Sequence, residues 1–322
     1  MLSHGAVVLK PLFQDPLARL LASGVSASFN GISAVMVFFI VSGLCIHLPY
    51  AGSSRVPVVR FLMRRYCRIG IPLFIVLMIT SAVGPRAIGR QNGVLWSVYA
   101  ELIYYSIYPL LFLAAQSIGW KPLLVISGAV SACLTIGNLQ FMIVPEFGWL
   151  CWVWGLPVWI SGCMLADRLH DGRLARPRGS RLVWRLTAWA MGTVATILVF
   201  HSPVRVGSPV SMLAFSVFVY FWLQQELRNP SPAWRWLERC GAASYSLYLV
   251  HSIVLGIVDG TSLPPLAADL LRPLGIVLAT FTFYIAVEAP SHHFARFLAS
   301  RISLDGGLRP PRPAVGEPLP PS

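Results

Sequence analysis

Residues 30–49, NGISAVMVFFIVSGLCIHLP, run for twenty positions without an acidic or a permanently charged side chain. At a rise of 1.5 Å per residue such a stretch makes a helix about 30 Å long, the thickness of the hydrocarbon core of a bilayer. The apolar residues are continuous and do not alternate with polar ones, which excludes an outer-membrane barrel strand. Comparable runs follow near 69–84, 95–116, 121–140, 147–166, 184–202, 209–225, 242–258 and 268–288, each bounded by Gly, Pro or charge clusters. The expected fold is all-α: a polytopic transmembrane helix bundle with about nine full crossings. Composition agrees, because 56% of the 322 residues are hydrophobic, 11% are charged and the mean hydropathy is +0.68. A soluble domain carries about 25% charged residues, so that class is excluded. No repeat or second domain interrupts residues 1–300, and the Pro- and Gly-rich residues 301–322 read as a disordered cytoplasmic tail.

The formal charge of +13 would suggest a nucleic-acid partner in a soluble protein. Here the basic residues sit between apolar runs, so they report orientation, and membrane lipids rather than nucleic acid are the expected partner. Lys10, Arg19, Arg86, Arg90, Arg205 and Arg272 fall in one alternating set of loops; every other Lys and Arg falls in 55–68, 121, 168–185, 228–239 or 296–312. That asymmetry predicts a multi-pass membrane protein with its C-terminus in the cytoplasm. The same orientation sets 1–29 on the outer side, so a further helix is expected to start before Met1, with residues 1–9 as its outer end; an N-out first helix is the alternative. The six cysteines, at 45, 67, 133, 151, 163 and 240, lack metal-like spacing and read as small core residues. No metal site is visible in the sequence.

Ionisable groups at bilayer depth are costly, and there function is sought. Glu101, in WSVYAELIYYSIYPLL at 96–111, lies about six residues into its expected helix, or about 9 Å deep. His251 ends SYSLYLVH, and Glu288 precedes Ala289 and Pro290 at the inner end of the last run. A helix-pinning ion pair, a packing histidine and a solvated helix end are the plain readings of these three. The segment RFLMRRYCRIGIP brings Arg64, Arg65 and Arg68 to one helical face by their three- and four-residue spacings. Such a face suits anionic headgroups, or it suits a phosphate clamp built from guanidinium forks. Ser42 and Gly43 in FFIVSGLCIH allow close helix contact or line a cavity. Trp96, Tyr105 and the other aromatics of 96–108 and 149–159 form an interfacial belt or a sugar-binding surface.

Five pieces in order, NGISAVMVFFIVSGLCI at 30–46, RFLMRRYCRIGIPLF at 60–74, WSVYAELIYYSIYPLL at 96–111, SYSLYLVH at 244–251 and VEAP at 287–290, resemble the membrane-bound acyltransferase family 3. These are integral membrane O-acyltransferases that modify bacterial surface glycans. The resemblance sets His4 in the place of the family's functional histidine, whose basic companion would fall before Met1. It sets Arg65 and Arg68 in the place of the cytoplasmic R-x-x-R, and Glu101 in that of the acidic residue after W-S. What it implies is transfer of an acyl group, acetyl by default, from a coenzyme A thioester to a hydroxyl of a cell-surface glycan or glycolipid. His4 would act as general base, Glu101 would orient a histidine or bind the sugar, and the arginines, Arg64 included, would hold the phosphates of acetyl-CoA. Ser42, Trp96, Tyr105, His251 and Glu288 would line the channel. A transporter or flippase with Glu101, His251 and Glu288 as a proton relay is the competing class, and a truncated homologue without catalysis is a third.

Overall fold

The computed structural model describes residues 31–175, 179–200, 206–228 and 234–301. Within them the chain forms helices α1 (Gly31–His47), α2 (Val58–Val83), α3 (Pro85–Ile118), α4 (Trp120–Ile136), α5 (Cys151–His170), α6 (Arg181–Phe200), α7 (Ser208–Arg228), α8 (Arg235–Ala242), α9 (Ser244–Val258), α10 (Pro265–Phe283) and α11 (Ala289–Arg301). There is no strand among the described residues, so the expected helical bundle is the fold. Seven spans are long and apolar enough to cross a membrane. An eighth forms if α8 and α9 are taken together across their 57° bend. The remaining expected crossing, 121–140, is α4: 17 residues, about 26 Å long, ended by Gly137. All nine expected runs are therefore helical, but two are short or broken.

Two helices begin about ten residues earlier than their apolar runs. Helix α2 starts at Val58 behind Pro57 and carries its arginines inside the helix, since arginine is a good helix former with a long apolar stem. Helix α3 starts at Pro85, which suits a first helical position, directly behind Gly84 at φ 114°. Only glycine adopts that backbone readily, and it lets α2 and α3 fold back on each other as a hairpin.

Helices α1 and α5 stand at the centre. Two thirds (67%) of the α5 span is buried, against 17% of the span running from Leu266 to Arg301. With lipid tails as apolar as leucine, close packing rather than the hydrophobic effect holds such helices together. Here a Cβ at Gly43 would collide with the Trp159 carbonyl, and one at Gly162 with the Ile40 carbonyl, so the two backbones touch. Helix α1 also packs on α7; α4 packs on α5; α9 packs on α2, α3 and α10; and α11 packs on α2. At the end of the bundle expected to be outer, Arg272 binds Asp259 at 2.9 Å and Asp269 at 2.5 Å, and Arg90 also binds Asp259. The cysteines are all unpaired, but only Cys151 and Cys163 are buried; Cys45, Cys133 and Cys240 are exposed, which corrects their reading as core residues.

Candidate active site

Counting from Gly84 at the turn of the hairpin, Arg68 lies 16 residues back along α2 and Glu101 lies 17 residues on along α3. Both therefore stand about 25 Å below the turn. Glu101 is thus near the middle of the 34-residue α3, much deeper than the apolar run alone implied. It is 2% exposed. Its Oε1 accepts a hydrogen bond from Ser42 Oγ of α1 at 2.9 Å and another from the Tyr105 hydroxyl one turn further along α3. Trp159 Nε1 of α5 donates to Ser42 Oγ at 3.2 Å. Glu101 Oε2 is buried and has no hydrogen-bond partner among the described residues. A carboxylate satisfied on one oxygen and bare on the other is costly in a bundle interior, and it is ready to accept an O–H or N–H from a bound molecule.

The basic face of α2 divides between two neighbours. The Arg65 guanidinium lies 5.8 Å from the ring centres of both Phe61 and Tyr105, so its charge sits over the same tyrosine that binds Glu101. Arg68 Nε donates to His292 Nε2 of α11 at 3.1 Å. Arg64 is exposed. Glu288 is buried at the end of a single π-helical turn, Tyr284–Glu288, a device common at functional sites because it turns side chains out of register. Its Oε2 accepts from Ser246 N at 3.0 Å and Ser246 Oγ at 2.5 Å, and its Oε1 is 3.7 Å from His292 Nε2. Glu288 is therefore not a solvated helix end.

Trp96 is partly buried against Phe39 and Trp154, with ring centres 5.9 and 6.4 Å apart, and belongs to the aromatic core rather than to an exposed belt. His251 turns back on its own helix, Nδ1 donating to the carbonyls of Tyr248 at 2.8 Å and Leu247 at 3.1 Å. His4 lies outside the described residues. The structure thus joins Ser42, Glu101, Tyr105 and Arg65 into one centre, and Arg68 and Glu288, through His292, into a second.

Three polar groups went unseen in the sequence. His292 was overlooked beside Glu288. His47, the last residue of α1, is 3% exposed, with Nε2 2.7 Å from Asp167 Oδ1 of α5 and Nδ1 3.0 Å from the Tyr108 hydroxyl of α3. His47 and Asp167 each close an apolar run and resemble boundary residues; 120 positions separate them, so only the α1–α5 packing reveals the pair. The spacing of Glu101, Tyr105 and Tyr108, which shares one face of α3, was legible in advance.

A family model described as an acyltransferase domain, the family 3 type, matches residues 4–288. No curated protein and no solved structure matches the chain.

Proposed function

We propose a reaction from a fixed premise: the chain belongs to the membrane acyltransferase family 3, whose model spans most of its length. The reaction is transfer of an acyl group, acetyl by preference, from a coenzyme A thioester in the cytoplasm to a hydroxyl of a cell-surface glycan or glycolipid, across the bacterial inner membrane. The observation that carries this reading is Glu101, a mid-bundle carboxylate with one oxygen held by Ser42 and Tyr105 and the other bare. The oxygen that is held is held by two hydroxyls and not by a guanidinium, so among the described residues Glu101 is not a helix-pinning ion pair.

In the reaction the acceptor oxygen attacks the thioester carbonyl, a C–O bond forms, the C–S bond breaks, and the hydroxyl proton ends on the coenzyme sulfur. Arg65 and Arg68, with Arg64 at the exposed edge, supply guanidinium groups for the coenzyme phosphates. Such binding would draw Arg68 away from His292. The bare Glu101 oxygen would hold the acceptor hydroxyl or the ring of His4, the general base that the family resemblance implies.

The test is label transfer. Membranes containing the chain are incubated with radiolabelled acetyl-CoA and a cell-envelope glycan extract. Label is expected in glycan, and it should fall in Arg65→Ala and Glu101→Gln. No label with any of several acyl donors, despite correct membrane insertion, would overturn the reading in favour of transport or a non-catalytic role.

A further inference from the structure

The proposed reaction sets a demand on the bundle. One proton per turnover leaves the acceptor hydroxyl at the level of Glu101 or above it, while the sulfur that must receive it departs toward the cytoplasm. A polar path along the inner half of the bundle, where apolar packing excludes bulk water, would give that proton a second way out besides direct transfer to the sulfur.

Glu101, Tyr105 and Tyr108 occupy positions i, i+4 and i+7 of α3, and Tyr108 lies about 10 Å further along the helix than Glu101. The Tyr108 ring is fully buried and packs on Phe61, the residue beneath Arg65, with ring centres 5.1 Å apart. From Tyr108 the polar contacts continue to His47 at 3.0 Å and to Asp167 at 2.7 Å. Asp167 has 41% of its side chain exposed, so the sequence ends in solvent. The carboxylate at 2.7 Å fixes a proton on His47 Nε2, which leaves Nδ1 to accept from the Tyr108 O–H. Trp120 Nε1 also aims its N–H at this Nε2, at 3.2 Å, so the nitrogen is shared between the carboxylate and the indole edge. Both donors point one way, Tyr108 to His47 and His47 to Asp167. Both ring nitrogens are engaged, so His47 cannot take a proton from substrate; it can only pass one on.

We infer that Tyr108, His47 and Asp167 are a proton relay that carries the acceptor's proton from the buried centre to the cytoplasmic mouth of the bundle. The relay rests on the acyl-transfer reading. Its entry is Tyr108: a proton arriving at the phenol oxygen releases the phenol proton to Nδ1, the Nε2 proton passes to Asp167, and from there it reaches water or the coenzyme thiolate. His47 itself meets Tyr108 of α3, Asp167 of α5 and the non-titrating Trp120 of α4, and the titratable and charged groups around Tyr108 add Cys163 of α5, Tyr50 of the turn after α1 and Arg65 of α2.

The test uses the full chain in nanodiscs with two readouts. In the first, acetyl transfer is followed against pH for wild type, His47→Gln, Asp167→Asn and Tyr108→Phe. The relay predicts that kcat falls about 100-fold in His47→Gln, the scale of a lost acid–base group. It also predicts an unchanged KM for the donor, an altered pH profile in all three variants, and partial rescue of His47→Gln by added imidazole. Variants that fold but keep the wild-type kcat and pH profile, or that change only KM, make the trio a structural pin and overturn the relay. The second readout needs no reaction. In 15N-histidine spectra His47 should be the Nε2–H tautomer, with a proton that exchanges quickly with water and slows in Asp167→Asn. A proton on Nδ1 alone, or exchange that is slow in wild type, overturns the relay even where acyl transfer is absent, while absent transfer by itself counts only against the acyl-transfer reading.

Discussion

Replacing Glu101 separates its structural work from its chemistry. In Glu101→Ala the Ser42 and Tyr105 hydroxyls both lose their acceptor inside the bundle. A buried donor left bare costs about 1–3 kcal/mol, and interhelical hydrogen bonds in membrane proteins average about 0.6 kcal/mol, which brackets the loss at about 1–6 kcal/mol. At about 2–4 °C per kcal/mol the melting temperature should fall by several degrees or more. Glu101→Gln keeps a carbonyl oxygen for both hydroxyls and puts an amide where the bare Oε2 stood. Its stability should lie within about 1 kcal/mol of wild type, because one unpartnered polar atom replaces another of the same size. Its acyl transfer should nonetheless fall about 100-fold, since an amide takes no proton and donates where the carboxylate accepted. The assay pairs thermal unfolding, followed by tryptophan fluorescence in nanodiscs, with labelled acetyl transfer. The reasoning is refuted if Glu101→Gln is destabilised as much as Glu101→Ala, or if it transfers at the wild-type rate.

Other perturbations test separate links. Gly43→Ala or Gly162→Ala puts a methyl group into a facing backbone carbonyl, so each should cost about 3 kcal/mol and lower the melting temperature in nanodiscs; unchanged melting would contradict the α1–α5 contact. Arg68→Ala should raise KM for acetyl-CoA about tenfold, the equivalent of one charge-assisted hydrogen bond, with kcat little changed in steady-state assays. Cys240, exposed on α8, should react with a membrane-impermeant maleimide offered from the cytoplasmic side only; labelling from the outer side would reverse the orientation drawn from the basic loops.

The helices were legible because a bilayer demands long apolar runs, and such runs show in sequence whatever their neighbours. Their starts were not, since Arg60 to Arg68 look like a loop to a hydropathy reading although their stems extend α2 by three turns. Helix α3 likewise begins at Pro85 and not near residue 95, and that earlier start is what makes Glu101 central. Ser42, Glu101 and Tyr105 could be singled out one by one because each breaks an apolar pattern, but their meeting depends on Gly43 and Gly162 drawing α1 against α5. His47, Asp167 and His292 stayed hidden because each stands at a helix end, where a polar residue needs no special reason. Only packing from distant parts of the chain makes them partners.

The central claim is that one bundle takes an acyl group from the side of the basic loops and delivers it to the other. Its most direct measurement uses sealed inside-out membrane vesicles, with labelled acetyl-CoA outside, where the cytoplasmic face is, and glycan acceptor trapped within. Label in the trapped glycan, lost in Glu101→Gln, is the predicted result. Label that appears only when donor and acceptor share one side of the membrane, or no label under either arrangement, would contradict it.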